Sequence, residues 1–287
     1  MKVEMKMGTG KLFLVATPIG NLEDITYRAL KILAEVDLVA AEDTRRTLNL
    51  LNHFQIKQRM ISYFRHNERE RSGEIIDKLL AGSNIALVSD AGMPGISDPG
   101  YWLVAEAVKK GIMVIPIPGA SAVVTALAAS GLPTDSFWFE GFLPRKVKER
   151  TLILAELAKV RGTIIFYEAP HRLRVTIKHI YQVLGDREAV IARELTKVHE
   201  EFIRGPLSEL ISWVENNSLK GEFTILIAGT KTVKNRQNST NQDNSINGWD
   251  DSGDELSLRQ KIKKIAQETG KSTKEVYNLY LSEKGKK

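Results

Sequence analysis

Cysteine is absent from the 287 residues, which excludes disulfides, thiolate metal sites and cysteine nucleophiles. Histidine is scarce, and the five present (His53, His66, His171, His179 and His199) lack the i, i+4 spacing of a helical zinc site, so no metal is expected. The longest apolar runs are far shorter than a membrane span. The opening stretch, MKVEMKMGTGK, is charged and has no apolar h-region, so no signal peptide, no membrane and a cytoplasmic location are expected. Two phosphate-binding signatures are also missing. Gly270-Lys271-Ser272 ends like a P-loop, but Ile265 stands where its first glycine belongs, and no strand precedes it. The turn Thr17-Pro18-Ile19-Gly20-Asn21 has one glycine where a dinucleotide fingerprint needs three. ATP hydrolysis and NAD chemistry therefore have no support. Asn238-Ser239-Thr240 matches a glycosylation sequon, which carries no weight in a cytoplasmic protein.

What is present is 43% hydrophobic residues in a chain longer than one typical domain, enough for about two cores and an appendage. Short apolar runs at 11–16, 38–41, 60–64, 84–88 and 112–117 alternate with amphipathic segments, the pattern of βαβ units and a largely parallel sheet. Residues 1–118 are read as an N-terminal α/β domain. Residues 119–229 are read as a second α/β domain. There the runs at 189–195 and 200–204 follow one another without a helix, so a hairpin and a mixed sheet are expected. Residues 230–256 are rich in Asn, Ser, Asp, Gln and Gly and read as a flexible linker. Residues 257–287 read as a basic helical module, and IAQETGKSTKEVYNLYL has the length and turn glycine of a helix-turn-helix. No internal repeat is evident.

The net charge of +6 is concentrated at one end. Residues 257–287 hold nine basic and three acidic residues; taking these from 41 and 35 leaves 32 of each sign in the remainder. A basic terminal module points to a polyanion, most often nucleic acid, and equally to a solvated helix with Lys-rich ends.

The densest loop is 88–100, VSDAGMPGISDPG, where an apolar run stops and three glycines, two prolines and two aspartates follow. A strand entering such a loop before a helix is a ligand-holding arrangement in parallel α/β proteins. Asp90 and Asp98 can accept hydrogen bonds from ribose-type hydroxyls or face a cation, while Asp98-Pro99 also has the form of a helix cap. The loops 17–21, 42–46, 89–100, 118–121 and 168–172 all follow strands and are expected along one ligand edge. The residues alone suggest a medium-sized polar ligand there.

Taken in order, LFLVATPIGNLEDIT, AAEDTR, VSDAGMPGISDPG, PIPGASAVVTALAASGLP, GFLPRK, FYEAPHR and GEFTILIAG resemble the tetrapyrrole methylase superfamily over residues 11–229. The resemblance is nearest to the branch that modifies small-subunit ribosomal RNA. It implies two α/β domains with S-adenosylmethionine in the crevice between them, a homodimer, and methylation of the 2′-hydroxyl of a cytidine. It carries cofactor contacts onto Pro18, Asp90, Ala91, Gly92, Met93, Ile96, Ser97, Ala120, Ser121, Tyr167 and Ala228.

Carboxylates and carbonyls in a glycine loop suit a sulfonium better than a lysine-bearing phosphate loop would. Positioning supplies roughly 7–11 kcal/mol of such a barrier, and a base adds about 10²–10⁴ in rate. Candidate bases are Glu42, Asp43, Glu168 and His171. Glu42-Asp43 and His171 are equally helix-start residues. Arg45, Arg46, Arg145, Lys146, Lys148, Arg172 and Arg174 are expected to meet phosphates as a cluster, although each alone reads as a solvated charge. Two alternatives stay open: a methylase of a small tetrapyrrole, and a ligand-sensing regulator whose tail binds nucleic acid.

Overall fold

The computed structural model describes residues 8–230 and, beyond them, 262, 263, 266, 267, 272–274, 276 and 277. The expected linker lies outside the described residues except for residue 230. The chain divides into two compact units, Met1–Thr232 and Val233–Lys287.

The first unit begins with five strands: β1 (Lys11–Val15), β2 (Leu38–Ala41), β3 (Met60–Ser62), β4 (Ile85–Val88) and β5 (Met113–Ile117). They form one sheet in the order β3-β2-β4-β1-β5, and every pairing is parallel. Helices cover both faces, which is why β4 is apolar at each position and buried throughout. Leu12, Ala40, Ile85 and Leu87 face α3 (Glu68–Leu80) and α4 (Tyr101–Lys109), meeting Ile75, Leu79, Leu103 and Ala107. Their alternates Phe13, Val15, Val39, Ala86 and Val88 pack on Ala29 and Leu33 of α1 (Tyr27–Glu35) and Leu51 of α2 (Thr44–His53). Each fully buried Leu or Ile contributes about 1.5–3 kcal/mol. Thr26 starts α1 by accepting the Ala29 N–H at 3.1 Å.

From β1 the chain crosses over β4 to β2, and from β4 it crosses over β1 to β5. Because α1 and α4 lie on opposite faces, loops leaving β1 and β4 part at adjacent strand ends, the position that opens a crevice in doubly wound sheets.

The second sheet contains β6 (Phe137–Phe142), β7 (Thr163–Glu168), β8 (Glu188–Arg193), β9 (Glu201–Pro206) and β10 (Phe223–Ile227), in the order β6-β7-β10-β8-β9. Only β6 and β7 are parallel, and β8–β9 is the expected hairpin, so the sheet is mixed. On one face lies α5 (Ala122–Ser130), whose Val123, Ala126 and Leu127 pack against Ile165, Val190 and Leu226 and also against Ile19 from the loop after β1. On the other lie α6 (Val147–Leu157), α7 (Pro170–Leu184) and α8 (Leu207–Asn216).

One expectation needs correction: loop 168–172 is not on the edge shared by the other four. It follows β7 in the second sheet, and the ligand edge is built from two sheets.

In the second unit, the described residues 262, 263, 266, 267, 273, 274, 276 and 277 are helical, and Ile262, Ala266 and Val276 form a small buried cluster. The rest of the expected helix-turn-helix lies outside the described residues.

Candidate functional site

The loop after β4 is shaped by backbone conformations that few side chains tolerate. Gly92, Gly95 and Gly100 take φ of 82°, 83° and 149°, and Ser97 takes 64°. At Gly100 a Cβ would stand 3.1 Å from both the Gly95 nitrogen and a Leu87 methyl, so the turn closes only on glycine. Gly100 is also the residue that begins α4, and no side chain caps that helix. Asp98 therefore does not cap it, contrary to expectation, because the chain makes a further turn before the helix starts. The loop after β1 is pinned to this one. Thr17 and Gly92 exchange backbone hydrogen bonds of 2.9 and 3.0 Å, and the Thr17 hydroxyl donates to the Ser89 carbonyl at 3.1 Å.

These loops and the second sheet enclose a cavity of about 380 Å³. One wall holds Glu42, Arg46, Asp90 through Met93, and Ile96 through Asp98. The opposite wall holds Phe142, Tyr167 through Pro170, and Gly221 through Thr224, with Ile19, Ser121 and Ala122 between the two.

Three carboxylates share the first wall. The Asp90 carboxylate accepts the Asp43 N–H at 3.0 Å and stands 3.4 Å from the Arg46 guanidinium, while Glu42 accepts the Asp90 N–H at 3.4 Å. Burial raises the Glu42 carboxyl above its ordinary range, with the Asp90 charge adding to the effect and its hydrogen bond opposing it. Asp98 is pushed up to about 7, first by burial and then by the charge of Glu42. The Tyr167 hydroxyl is pushed up to about 12, by burial and then by Asp98. The wall is thus short of positive charge, and a cation placed in the cavity would relieve it. Among the described residues, no three acidic or histidine side chains stand close enough to hold a metal ion.

Eight of the eleven expected cofactor residues line this cavity: Asp90, Ala91, Gly92, Met93, Ile96, Ser97, Ser121 and Tyr167. Pro18 lines a neighbouring hollow that shares Arg46 and Asp90 with the cavity. Ala120 lies just behind, its carbonyl 3.7 Å from where a Gly92 Cβ would be. Ala228 stands apart, beyond the C-terminal end of β10, where its N–H donates to the Glu188 carbonyl. Because β10 runs antiparallel to β7, Phe223 and Thr224 pair with Glu168 and Tyr167, and the N-terminal end of β10 is the one that meets the cavity. Gly221 through Thr224 hold the place expected of Ala228.

The four candidate bases separate clearly. Glu42 faces the cavity. Asp43 does not line it; as the N-cap of α2 it accepts from the Arg45 backbone and side chain, and those bonds hold its carboxyl down at about 2. Glu168 is fully buried and committed: the Thr176 hydroxyl donates to it at 2.6 Å, the Ala169 N–H at 2.9 Å, and Arg172 stands 3.3 Å away. His171 is exposed near the start of α7, outside the cavity lining.

The basic residues do not form one cluster. Arg145, Lys146 and Lys148 are exposed where β6 leads into α6, and Lys146 pairs with Glu149 at 3.0 Å. Arg46 reaches the cavity, while Arg45 is spent on Asp43. Arg172 donates to the Leu143 carbonyl at 2.6 Å, and Arg174 donates to the Val214 and Asn217 carbonyls at 3.2 and 3.3 Å, so both brace helices and loops around the second sheet.

Sequence reasoning offered Asp98 as a ligand carboxylate without carrying it into the cofactor set, and it missed Phe142 and Gly221 through Thr224. Seven residues lie between Asp90 and Asp98 in a glycine-rich loop, a spacing that lets the chain fold back. The expected hairpin after β8 was the available signal for the direction of β10.

A model of the tetrapyrrole (corrin/porphyrin) methylases matches residues 11–211. Ribosomal RNA small subunit methyltransferase I of Halalkalibacterium halodurans is 49% identical over 276 residues, covering 96% of each chain. The protein of the same name from Thermotoga maritima is 53% identical over 220 residues, which are 77% of this chain and 99% of that one. Among solved structures, a diphthine synthase superposes with a TM-score of 0.60 at 19% identity, over 76% of this chain and 90% of its own. Uroporphyrin-III C-methyltransferase of Thermus thermophilus complexed with S-adenosyl homocysteine gives 0.54 at 19%, over 76% and 97%. These distant structures share the fold.

Proposed function

The chain belongs to the tetrapyrrole (corrin/porphyrin) methylase family, in the branch of the ribosomal RNA small subunit methyltransferase I, and on that premise we propose that it transfers a methyl group from S-adenosylmethionine to small-subunit ribosomal RNA. The acceptor is the ribose 2′-hydroxyl of a cytidine. The observation that carries this reading is the wall of Glu42, Asp90 and Asp98 beside a glycine-shaped loop, a setting suited to a positively charged sulfonium.

The cofactor supplies, when bound, a methyl group on an already good leaving atom. Asp90 through Met93, Ile96, Ser97, Ser121 and Tyr167 would hold it, Pro18 and Ala120 would flank it, and Gly221 through Thr224 form the second wall. Ile96, Phe142 and Tyr167 give the cavity apolar surface, and positioning of donor and acceptor against it would supply much of the rate. A ribose hydroxyl must shed its proton. Glu42 and Asp98 stand beside the cavity to accept it: burial raises both carboxyls, Asp98 to about 7, toward the basicity a proton acceptor needs. Arg46, Arg145, Lys146 and Lys148 meet RNA phosphates. The protein acts in the cytoplasm as a homodimer; the exposed Phe137 and Trp138 on the outer strand β6 offer apolar surface for that assembly.

The test offers labelled S-adenosylmethionine with undermethylated small ribosomal subunits, naked ribosomal RNA or a tetrapyrrole precursor. Label is expected in the RNA of the subunits, at a cytidine ribose. Label in the porphyrinoid and none in RNA overturns the reading.

A further inference from the structure

The smaller hollow beside the main cavity measures about 280 Å³ and shares Arg46 and Asp90 with it. One wall is the loop after β1, with Pro18 and Leu22. The other is one face of α2, where Arg46, Asn49, Leu50 and His53 recur at i, i+3, i+4 and i+7. Asn49 and His53 are exposed, and neither side chain has a hydrogen-bond partner among the described residues. The Asn49 amide offers both a donor and an acceptor, and the imidazole adds a second polar edge. Apolar surfaces on two sides with convergent polar groups at the rim suit a flat heterocycle with a hydrogen-bonding edge. The space suits a single base and is too small for a four-ring macrocycle.

We propose that this hollow receives the base of the nucleotide being methylated, splayed out of its RNA stack, with Pro18, Leu22 and Leu50 against its faces and Asn49 and His53 on its edge. The inference rests on the ribosomal RNA reading above and deepens it. A base seated here brings its own ribose to the wall that both hollows share, next to the carboxylates that accept the proton. Arg46, with its side chain 67% exposed and 3.4 Å from Asp90, stands between the two sites and is placed to meet the nucleotide's phosphate. Proteins that recognise unstacked RNA bases read them by their faces and their edges in this way.

The experiment compares the full-length protein with two variants, Asn49→Ala/His53→Ala and Leu22→Trp. The first removes the edge contacts; the second fills the hollow from its exposed rim. Methyl transfer to undermethylated small subunits is followed by kcat and KM, and cofactor affinity by calorimetry. Both variants are expected to lose about tenfold or more in kcat/KM for the subunit, about 1.4 kcal/mol per tenfold, with the affinity for S-adenosylmethionine within twofold of the wild type. A wild-type kcat/KM in both variants overturns the subsite while leaving the ribosomal reading intact. A parallel loss of cofactor affinity assigns these residues to the donor site and also overturns it. A wild-type protein that labels no ribosomal RNA brings down both.

Discussion

Asp98 is the residue whose chemistry departs furthest from its sequence neighbourhood. A solvated aspartate titrates near 3.8, and here burial and the nearby Glu42 charge bring the carboxyl to about 7. The folded state thus favours the protonated form. Its contribution to stability is fully present below about pH 4 and is lost as pH rises through about 7, because above that the fold must carry the buried charge. Asp98→Asn imitates the protonated carboxyl, so the variant should unfold at a higher temperature than the wild type at pH 8 and at the same temperature near pH 4. It should also be slower by about 10² in methyl transfer, having lost half of the proton-accepting pair. Equal melting temperatures at pH 8 would show that the charge is not strained. The sequence offers Asp98 both as a ligand carboxylate and as a cap, but its raised titration was not legible there, because Glu42 and Tyr167, which meet it, come from the ends of other strands. Asp90, by contrast, was legible as a site residue, since a strand end running into glycines is a local signal.

At the scale of elements, the strands of the first sheet were legible because their apolar runs are short, continuous and separated by helical periods. The direction of β10 was not. An isolated run such as FTILI pairs equally well either way, and its hydrogen bonds to β7 and β8 decide which end reaches the cavity. Helix α7 shows a second limit. Arg172 and Arg174 sit in a basic motif at its start, yet the fold draws Arg172 inward and ties the exposed Arg174 to the Val214 and Asn217 carbonyls. The Glu168 side chain has no exposure, and Arg172 is the cation beside it. Arg172→Met keeps the aliphatic stem and removes that charge, leaving a buried carboxylate supported only by Thr176 and the Ala169 amide. The expected cost is about 3 kcal/mol, read as a fall of several degrees in thermal midpoint. A variant that keeps its midpoint but binds RNA more weakly would return Arg172 to the RNA face.

For the whole molecule, the question is what the basic C-terminal segment adds. Every residue named here for donor, base and proton lies within Met1–Thr232, which forms a compact unit by itself. The relative from Thermotoga maritima is matched over 99% of its own length by 77% of this chain. The +6 net charge of residues 257–287 then has no part in holding the cofactor, and a polyanion is what it would attract. If each cation near RNA releases counterions, its contribution must fall with salt. A chain ending at Thr232 should therefore bind S-adenosylmethionine with unchanged affinity and keep its thermal midpoint. Its KM for small subunits should rise at low ionic strength, and the gap from the full chain should close as salt is added. A gap that persists at all salt concentrations would assign the segment a shape-dependent contact instead of an electrostatic one, and equal KM values at low salt would remove it from substrate binding altogether.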